Sequence, residues 1–214
     1  QHKVAWGTED FTQGPAMTRE QAELALKVGM QIANECIDNG YNLLETAEMG
    51  IGNTTSTSAI VSAFLGLDPE LTVGRGSGIN DERMKIKRQV VIDGLAVNKP
   101  KLGDAMDVLC KVGGYDHAGL VGMIIAGAMR RVPTMIDGVN ATAAALLAYG
   151  LYPECAKYML VSHLSSDISH KKMLEILQLK PIVDAGMRLG EGTGANLAVV
   201  VLQSAIDVYN KLSG

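Results

Sequence analysis

Apolar residues recur at helical spacing through Ala22, Leu24, Ala25, Val28, Ile32 and Ile37, and Asn39-Gly40 closes the run. Thr18, three residues ahead of Gln21, forms a capping box, so this pattern predicts a helix of about five turns. Tyr41-Asn42-Leu43-Leu44-Glu45 is too short for a helix and reads as a strand; a glycine-bearing loop and a helix from Ser56 to Leu67 follow. The order recurs. Leu71-Thr72-Val73 reads as a strand before Gly74-Arg75-Gly76-Ser77-Gly78 and an amphipathic helix from Asp81 to Val97. Pro133-Thr134-Met135-Ile136 precedes Asp137-Gly138 and an alanine-rich helix from Asn140 to Ala148, and Tyr158 to Ser162 and Ile182-Val183 read as further buried strands. Strands alternating with helices predict an α/β fold built on a mostly parallel, doubly wound sheet flanked by helices. Ligands bind such sheets at the carboxyl ends of the strands, so the glycine loops are expected to share one site.

Composition narrows the partners. At 214 residues and 47% apolar content the chain supports one substantial core. Its net charge of −4 comes from well-mixed signs, leaving no basic stripe for nucleic acid or an anionic membrane. The longest apolar stretch, Ala118 to Met129, is broken by glycines and bounded by Asp116 and Arg130, shorter than the roughly 20 residues of a membrane span. Gln1 to Trp6 shows no signal-peptide pattern, and Cys36, Cys110 and Cys155 are widely spaced, with no CxxC pair. Packed thiols in a reducing, cytoplasmic setting are expected, with small molecules or copies of the chain as partners. The chain starts without Met, from which an absent or removed N-terminal piece is expected.

Three stretches offer chemistry. Ala47-Glu48-Met49-Gly50-Ile51-Gly52-Asn53-Thr54-Thr55 lies between a predicted strand and a helix N-terminus, where unpaired N–H groups and the dipole favour an anion. It is neither a Walker A loop nor a GxGxxG fingerprint, and two readings stand: a phosphate cradle, or a tight turn capped by threonine. Gly74 to Gly78 is either a plain turn or a second anion loop, and Lys87 is one of four basic residues between Arg83 and Arg88 whose pattern reads as a solvated face. In Arg188-Leu189-Gly190-Glu191-Gly192-Thr193-Gly194 the flanking glycines let a planar substrate approach the Glu191 carboxylate. Glu191 is a candidate general base or, alternatively, a cap for the helix starting near Ala195. His163, His170 and Asp167 read as loop residues rather than metal ligands, and His117 beside Asp116 stays ambiguous. No metal or cofactor is implied, and no GxSxG nucleophile occurs.

The motifs Glu48 to Thr55, Gly74 to Gly78 and Arg188 to Gly194, with Gly14 to Glu20, Gly113-Gly114, Asp137-Gly138 and Ser162-His163, resemble the nicotinate-nucleotide–dimethylbenzimidazole phosphoribosyltransferase family along the whole chain. The resemblance implies transfer of 5-phosphoribose from nicotinate mononucleotide to 5,6-dimethylbenzimidazole or a related base, giving α-ribazole 5′-phosphate and nicotinate. It implies Glu191 as the general base. Glu48, Met49, Gly50, Ile51, Gly52, Asn53, Thr54 and Thr55, with Gly76 and Ser77, are then expected to hold the ribose phosphate, with Lys87 as a phosphate or charge contact. Arg188, Leu189 and Gly190 become the wall beside the base. It further implies a Rossmann-like sheet domain over residues 41–195, a helical segment over 1–40 that is part of a small helical subdomain, expected to be incomplete here, or of its flank, a C-terminal helix over 196–214, and a homodimer. The family's N-terminal region is not among these residues, and Tyr115-Asp116-His117 stands where an apolar residue, Glu and an apolar residue are usual. The competing reading is a non-catalytic nucleotide-binding or assembly subunit that needs another chain.

Overall fold

The computed structural model describes residues 2–76 and 78–213. Helix α1 (Arg19–Asp38) opens with the expected capping box: the Gln21 N–H donates to Thr18 Oγ1 at 3.2 Å, and the Thr18 N–H donates to Gln21 Oε1 at 2.9 Å. The described strands are β1 (Leu44–Glu45), β2 (Thr134–Ile136), β3 (Met159–His163) and β4 (Pro181–Val183), all parallel and ordered β1-β2-β3-β4. Leu44 faces Thr134, Ile136 faces Val161 and His163 faces Val183. The short β1 is latched to β2 by Thr46, whose hydroxyl donates to Met135 O and accepts the Asp137 N–H at 2.9 Å.

Each parallel step needs a helical crossover. Helices α2 (Asn53–Leu65), α3 (Asp81–Asn98), α4 (Ala105–Val112) and α5 (Tyr115–Met129) lie between β1 and β2, α6 (Val139–Leu151) between β2 and β3, α7 (His170–Leu177) between β3 and β4, and α8 (Thr193–Ser213) after β4. Successive strand residues point to opposite faces. Ile136 and Met159 enter the main core with Leu146 and Leu147 of α6 and Val121 and Ile124 of α5. Met135, with Leu160 and Ile182 beside it, packs instead on Ala195 and Ala198 of α8. Helices therefore cover both faces, which is why the strands read as continuous apolar runs.

The expected strand at Leu71-Thr72-Val73 does not form. Pro69–Leu71 is a 3-10 turn, started by Pro69 and by Asp68, whose carboxylate accepts the Glu70 N–H at 2.8 Å. Thr72 and Val73 are buried but join no ladder; the Thr72 hydroxyl pairs with Ser62 Oγ at 2.6 Å. A three-residue apolar run carries no period that separates a strand from a buried turn.

α1 lies along α5 through glycines. A Cβ on Gly29 would meet Gly119 O at 1.9 Å, and one on Gly122 would meet Leu26 O at 1.9 Å. Arg130, at the end of α5, ties down the end of α1 by donating to Asn34 (3.0 Å) and Asp38 (2.8 Å). The three thiols are free, and burial pushes that of Cys155 up to about 12. No helix of the described residues is long and apolar enough to cross a membrane.

Candidate active site

The loops leaving the carboxyl ends of all four strands, joined by the 73–76 turn, enclose one cavity of about 650 Å³. It lies where a parallel sheet places its ligands. Of the residues expected in the site, Glu48, Met49, Gly50, Gly52, Asn53, Thr54, Gly76, Arg188, Leu189, Gly190 and Glu191 line it. Ile51 is exposed, the Thr55 N–H is spent on Gly52 O at 2.9 Å, and neither lines the cavity. Ser77 lies outside the described residues.

Gly52, at φ 78°, makes the left-handed turn that starts α2 with Asn53 and Thr54 at the cavity wall. Behind them Lys87 Nζ donates to Thr54 Oγ1 at 3.0 Å and to Gly74 O at 2.9 Å. Lys87 is thus no part of a solvated face: burial lowers its pKa, and the Asp167 carboxylate partly offsets that. Gly76 lies so close to Thr54 that a Cβ there would stand 3.1 Å from the hydroxyl, and a Cβ on Gly74 would sit 1.9 Å from an Asp167 oxygen. The ammonium, the threonine hydroxyl and the start of α2 form a corner of hydrogen-bond donors, with the Asp167 carboxylate beside it. Arg75 also lines the cavity, with its guanidinium paired to Asp81 at 2.5 Å and donating to Ile79 O.

Glu191 sits two residues before α8, exposed, at φ 58°, a left-handed conformation that non-glycine residues seldom adopt. It is not the cap of that helix. Asp137, at the end of β2, takes the role, accepting the Gly192 N–H at 3.1 Å and the Ala195 N–H at 3.0 Å. The Glu191 carboxylate makes no hydrogen bond or ion pair among the described residues, and the residue lines the cavity.

Glu48, half-buried, lines the same cavity near enough to Gly190 that a Cβ there would be 3.7 Å from its carboxylate. Asn140 Nδ2 donates to its Oε1 at 2.8 Å, and Asn53 Nδ2 donates to its Oε2. Glu48 and Met49 also edge a second, largely apolar cavity of about 250 Å³ between Val28, Gly29 and Ile32 of α1 and Asp116, Gly119, Leu120 and Met123 of α5.

The histidines read as loop residues are buried. His163 ends β3 and lines the cavity, its Nδ1 2.9 Å from Ser162 Oγ and 3.9 Å from Asp137. His170 starts α7, where its Nδ1 accepts the Ser165 N–H at 3.0 Å. The Thr142 hydroxyl donates to Gly138 O, so His170 Nε2 is the donor in its 2.9 Å contact with Thr142. Burial, reinforced by His163, lowers its pKa to about 4. This neutral ring fastens the 165–168 wall to the 137–138 wall. Asp137, Asn140, His163 and Asp167 all line the cavity without having been expected there as site residues. The signal available for Asp137 and His163 is their place at the last turn of a strand, where Asp137-Gly138 and Ser162-His163 stand. Among the described residues no group of three or more His, Cys, Asp or Glu is placed to hold a metal ion.

A parallel sheet with its cavity at the carboxyl edge, where such sheets place their ligands, defines an α/β small-molecule-binding domain. The family model described as phosphoribosyltransferase matches residues 1–214. The chain is 46% identical over 211 residues to the nicotinate-nucleotide–dimethylbenzimidazole phosphoribosyltransferase of Chloroflexus aggregans (99% of this chain, 60% of that protein). It is 43% identical over 208 residues to that of Alkaliphilus metalliredigens (97% and 60%). The crystal structure of CobT from Thermus thermophilus superposes with a TM-score of 0.91 at 42% identity, covering 96% of this chain and 61% of that one. The chain belongs to the nicotinate-nucleotide–dimethylbenzimidazole phosphoribosyltransferase family. It spans about three fifths of the length of the curated relatives it matches.

Proposed function

We propose that this chain carries the phosphoribosyl-transfer site for nicotinate mononucleotide and a benzimidazole-type base in cobalamin lower-ligand assembly. The observation that carries the reading is that one 650 Å³ cavity is lined both by Thr54, which Lys87 backs at 3.0 Å, and by Glu191. The corner takes the 5′-phosphate, with Glu48 to Thr55, Gly76 and Ser77 as the proposed ribose-phosphate binding set around it. Arg188, Leu189 and Gly190 flank the incoming base. Glu191 removes the base's ring N–H proton while the other ring nitrogen attacks the anomeric carbon. The bond to nicotinate breaks, and its electron pair neutralises the pyridinium, so nicotinate leaves and the configuration inverts. Such a reaction needs positioning and one base.

The proposal extends to a homodimer acting in the cytoplasm, with residues 1–40 and 196–214 belonging to a helical subdomain; the sequence resemblance supports it. Light scattering of the purified chain tests the dimer. The central experiment follows nicotinate release and ribazole phosphate formation from nicotinate mononucleotide and dimethylbenzimidazole, with Glu191→Gln alongside. Product from the parent chain that is lost in the variant supports the transferase and its base together. Binding of nicotinate mononucleotide without product favours the second reading, a nucleotide-binding subunit that needs further chain to close the cavity; the exposure of Glu191 speaks for it.

A further inference from the structure

Six side chains from four segments close a hydrogen-bonded ring behind the cavity. Asn53 Nδ2 joins two carboxylates, donating to Glu48 and, at 3.2 Å, to Asp116. Asp116 Oδ1 lies 3.0 Å from His117 Nδ1, and His117 Nε2 lies 2.9 Å from Thr57 Oγ1. Thr57 donates to Asn140 Oδ1 at 2.7 Å, and Asn140 Nδ2 returns to Glu48 at 2.8 Å. His117, Thr57 and Asn140 are buried.

The direction of each bond follows from its neighbour. A carboxylate at position 48 accepts only, so Asn140 must present its NH₂ to Glu48 and its carbonyl to Thr57. The single hydroxyl proton of Thr57 is then spent on that carbonyl, and Thr57 can only accept from His117 Nε2. On the far side, Asp116 accepts from Asn53 Nδ2 at 3.2 Å, and although burial pushes its carboxyl up, the hydrogen bonds it accepts help to hold it below the usual range, so it stands as a carboxylate. It too can only accept, so His117 Nδ1 donates. On this wiring both ring nitrogens donate, and the one cation of the ring offsets one of its two carboxylates.

We propose that His117 is held as an imidazolium inside this ring and acts as a positioning residue, keeping Glu48 a rigidly placed acceptor on the cavity wall. His117 touches neither Glu48 nor the cavity; it works through Thr57, Asn140 and Asp116. The ring's charge logic stands on its own, whereas its value to substrate rests on the proposed reading of the site.

Four experiments on the chain test it. ¹⁵N spectra of histidine-labelled protein at neutral pH are expected to show one imidazolium, removed by His117→Gln; a neutral ring would overturn the proposal. An unfolding cycle between Glu48→Gln and His117→Gln, which do not touch, is expected to show a combined loss in the folding constant about threefold or more short of the product of the single losses. Additive losses would mean that His117 only packs. Replacing Asp116 as well, in Asp116→Asn with His117→Gln, removes one charge of each sign and should recover most of the single variant's loss, which a purely steric defect would not allow. In turnover assays His117→Gln should lower kcat about tenfold with KM for nicotinate mononucleotide nearly unchanged. If Glu48→Gln leaves turnover untouched while the spectra and the cycle hold, the reading of the site fails and the ring stands.

Discussion

The Asp137 carboxylate accepts the backbone N–H of Ala195 at 3.0 Å, capping a helix that begins more than fifty residues later in the chain. Through Gly192 it holds the same loop that presents Glu191. Asp137→Asn keeps the shape but turns one acceptor into a donor facing an N–H, so it should cost about 1–2 kcal/mol of stability and displace Glu191. Urea unfolding and nicotinate release check the two effects; a variant as stable and active as the parent would show that α8 caps itself.

The α1–α5 contact makes an asymmetric prediction. Gly29→Ala and Gly122→Ala push a methyl group onto the facing helix backbone and should each destabilise by about 1–3 kcal/mol. A Cβ at Gly119 meets nothing within 4 Å, so Gly119→Ala should be neutral or gain up to about 1 kcal/mol in thermal or urea melts. Equal losses at all three sites would contradict the packing described.

Acid should loosen the wall that His170 ties. Its folded pKa of about 4 lies below the unfolded value near 6.5, so between those pH values the unfolded chain binds the proton that the folded chain refuses. Stability is therefore complete above pH 6.5 and declines as pH falls toward 4, by as much as about 3 kcal/mol. His163, also lowered, acts in the same direction. The urea midpoint of the parent should fall between pH 7 and 4.5 more steeply than that of His170→Gln; parallel slopes would place the proton elsewhere.

Lys87→Met keeps the aliphatic stem but removes the ammonium between Thr54 and Gly74. Calorimetry should show nicotinate mononucleotide binding weakened about tenfold. The parent's affinity should fall with added salt more than the variant's.

The helices α1 and α3 and the central strands were legible because their signals are local: the box at Thr18 and Gln21, the Asn39-Gly40 stop, the apolar run before Asp137-Gly138. Leu71-Thr72-Val73 was misread because its burial comes from packing, not from a ladder. At the site, the glycines that shape the loops were visible as glycines. The groups that hold those loops together were not, since Asp137 acts on Ala195, His170 on Ser165 and Thr142, and His117 on Thr57, all contacts that exist only once the sheet has assembled. Lys87 shows the same limit: among four neighbouring cations, only the fold selects the one that turns inward.

The left-handed backbone at Glu191 sets a trap for anyone improving this protein. That conformation costs a side-chain-bearing residue about 1–2 kcal/mol and glycine almost nothing. A screen that rewards heat resistance alone would therefore drift toward glycine at this position, discarding the carboxylate assigned here to proton removal. Strain at this one residue makes durability and turnover rival objectives, and selection for the first needs an assay for the second at every round.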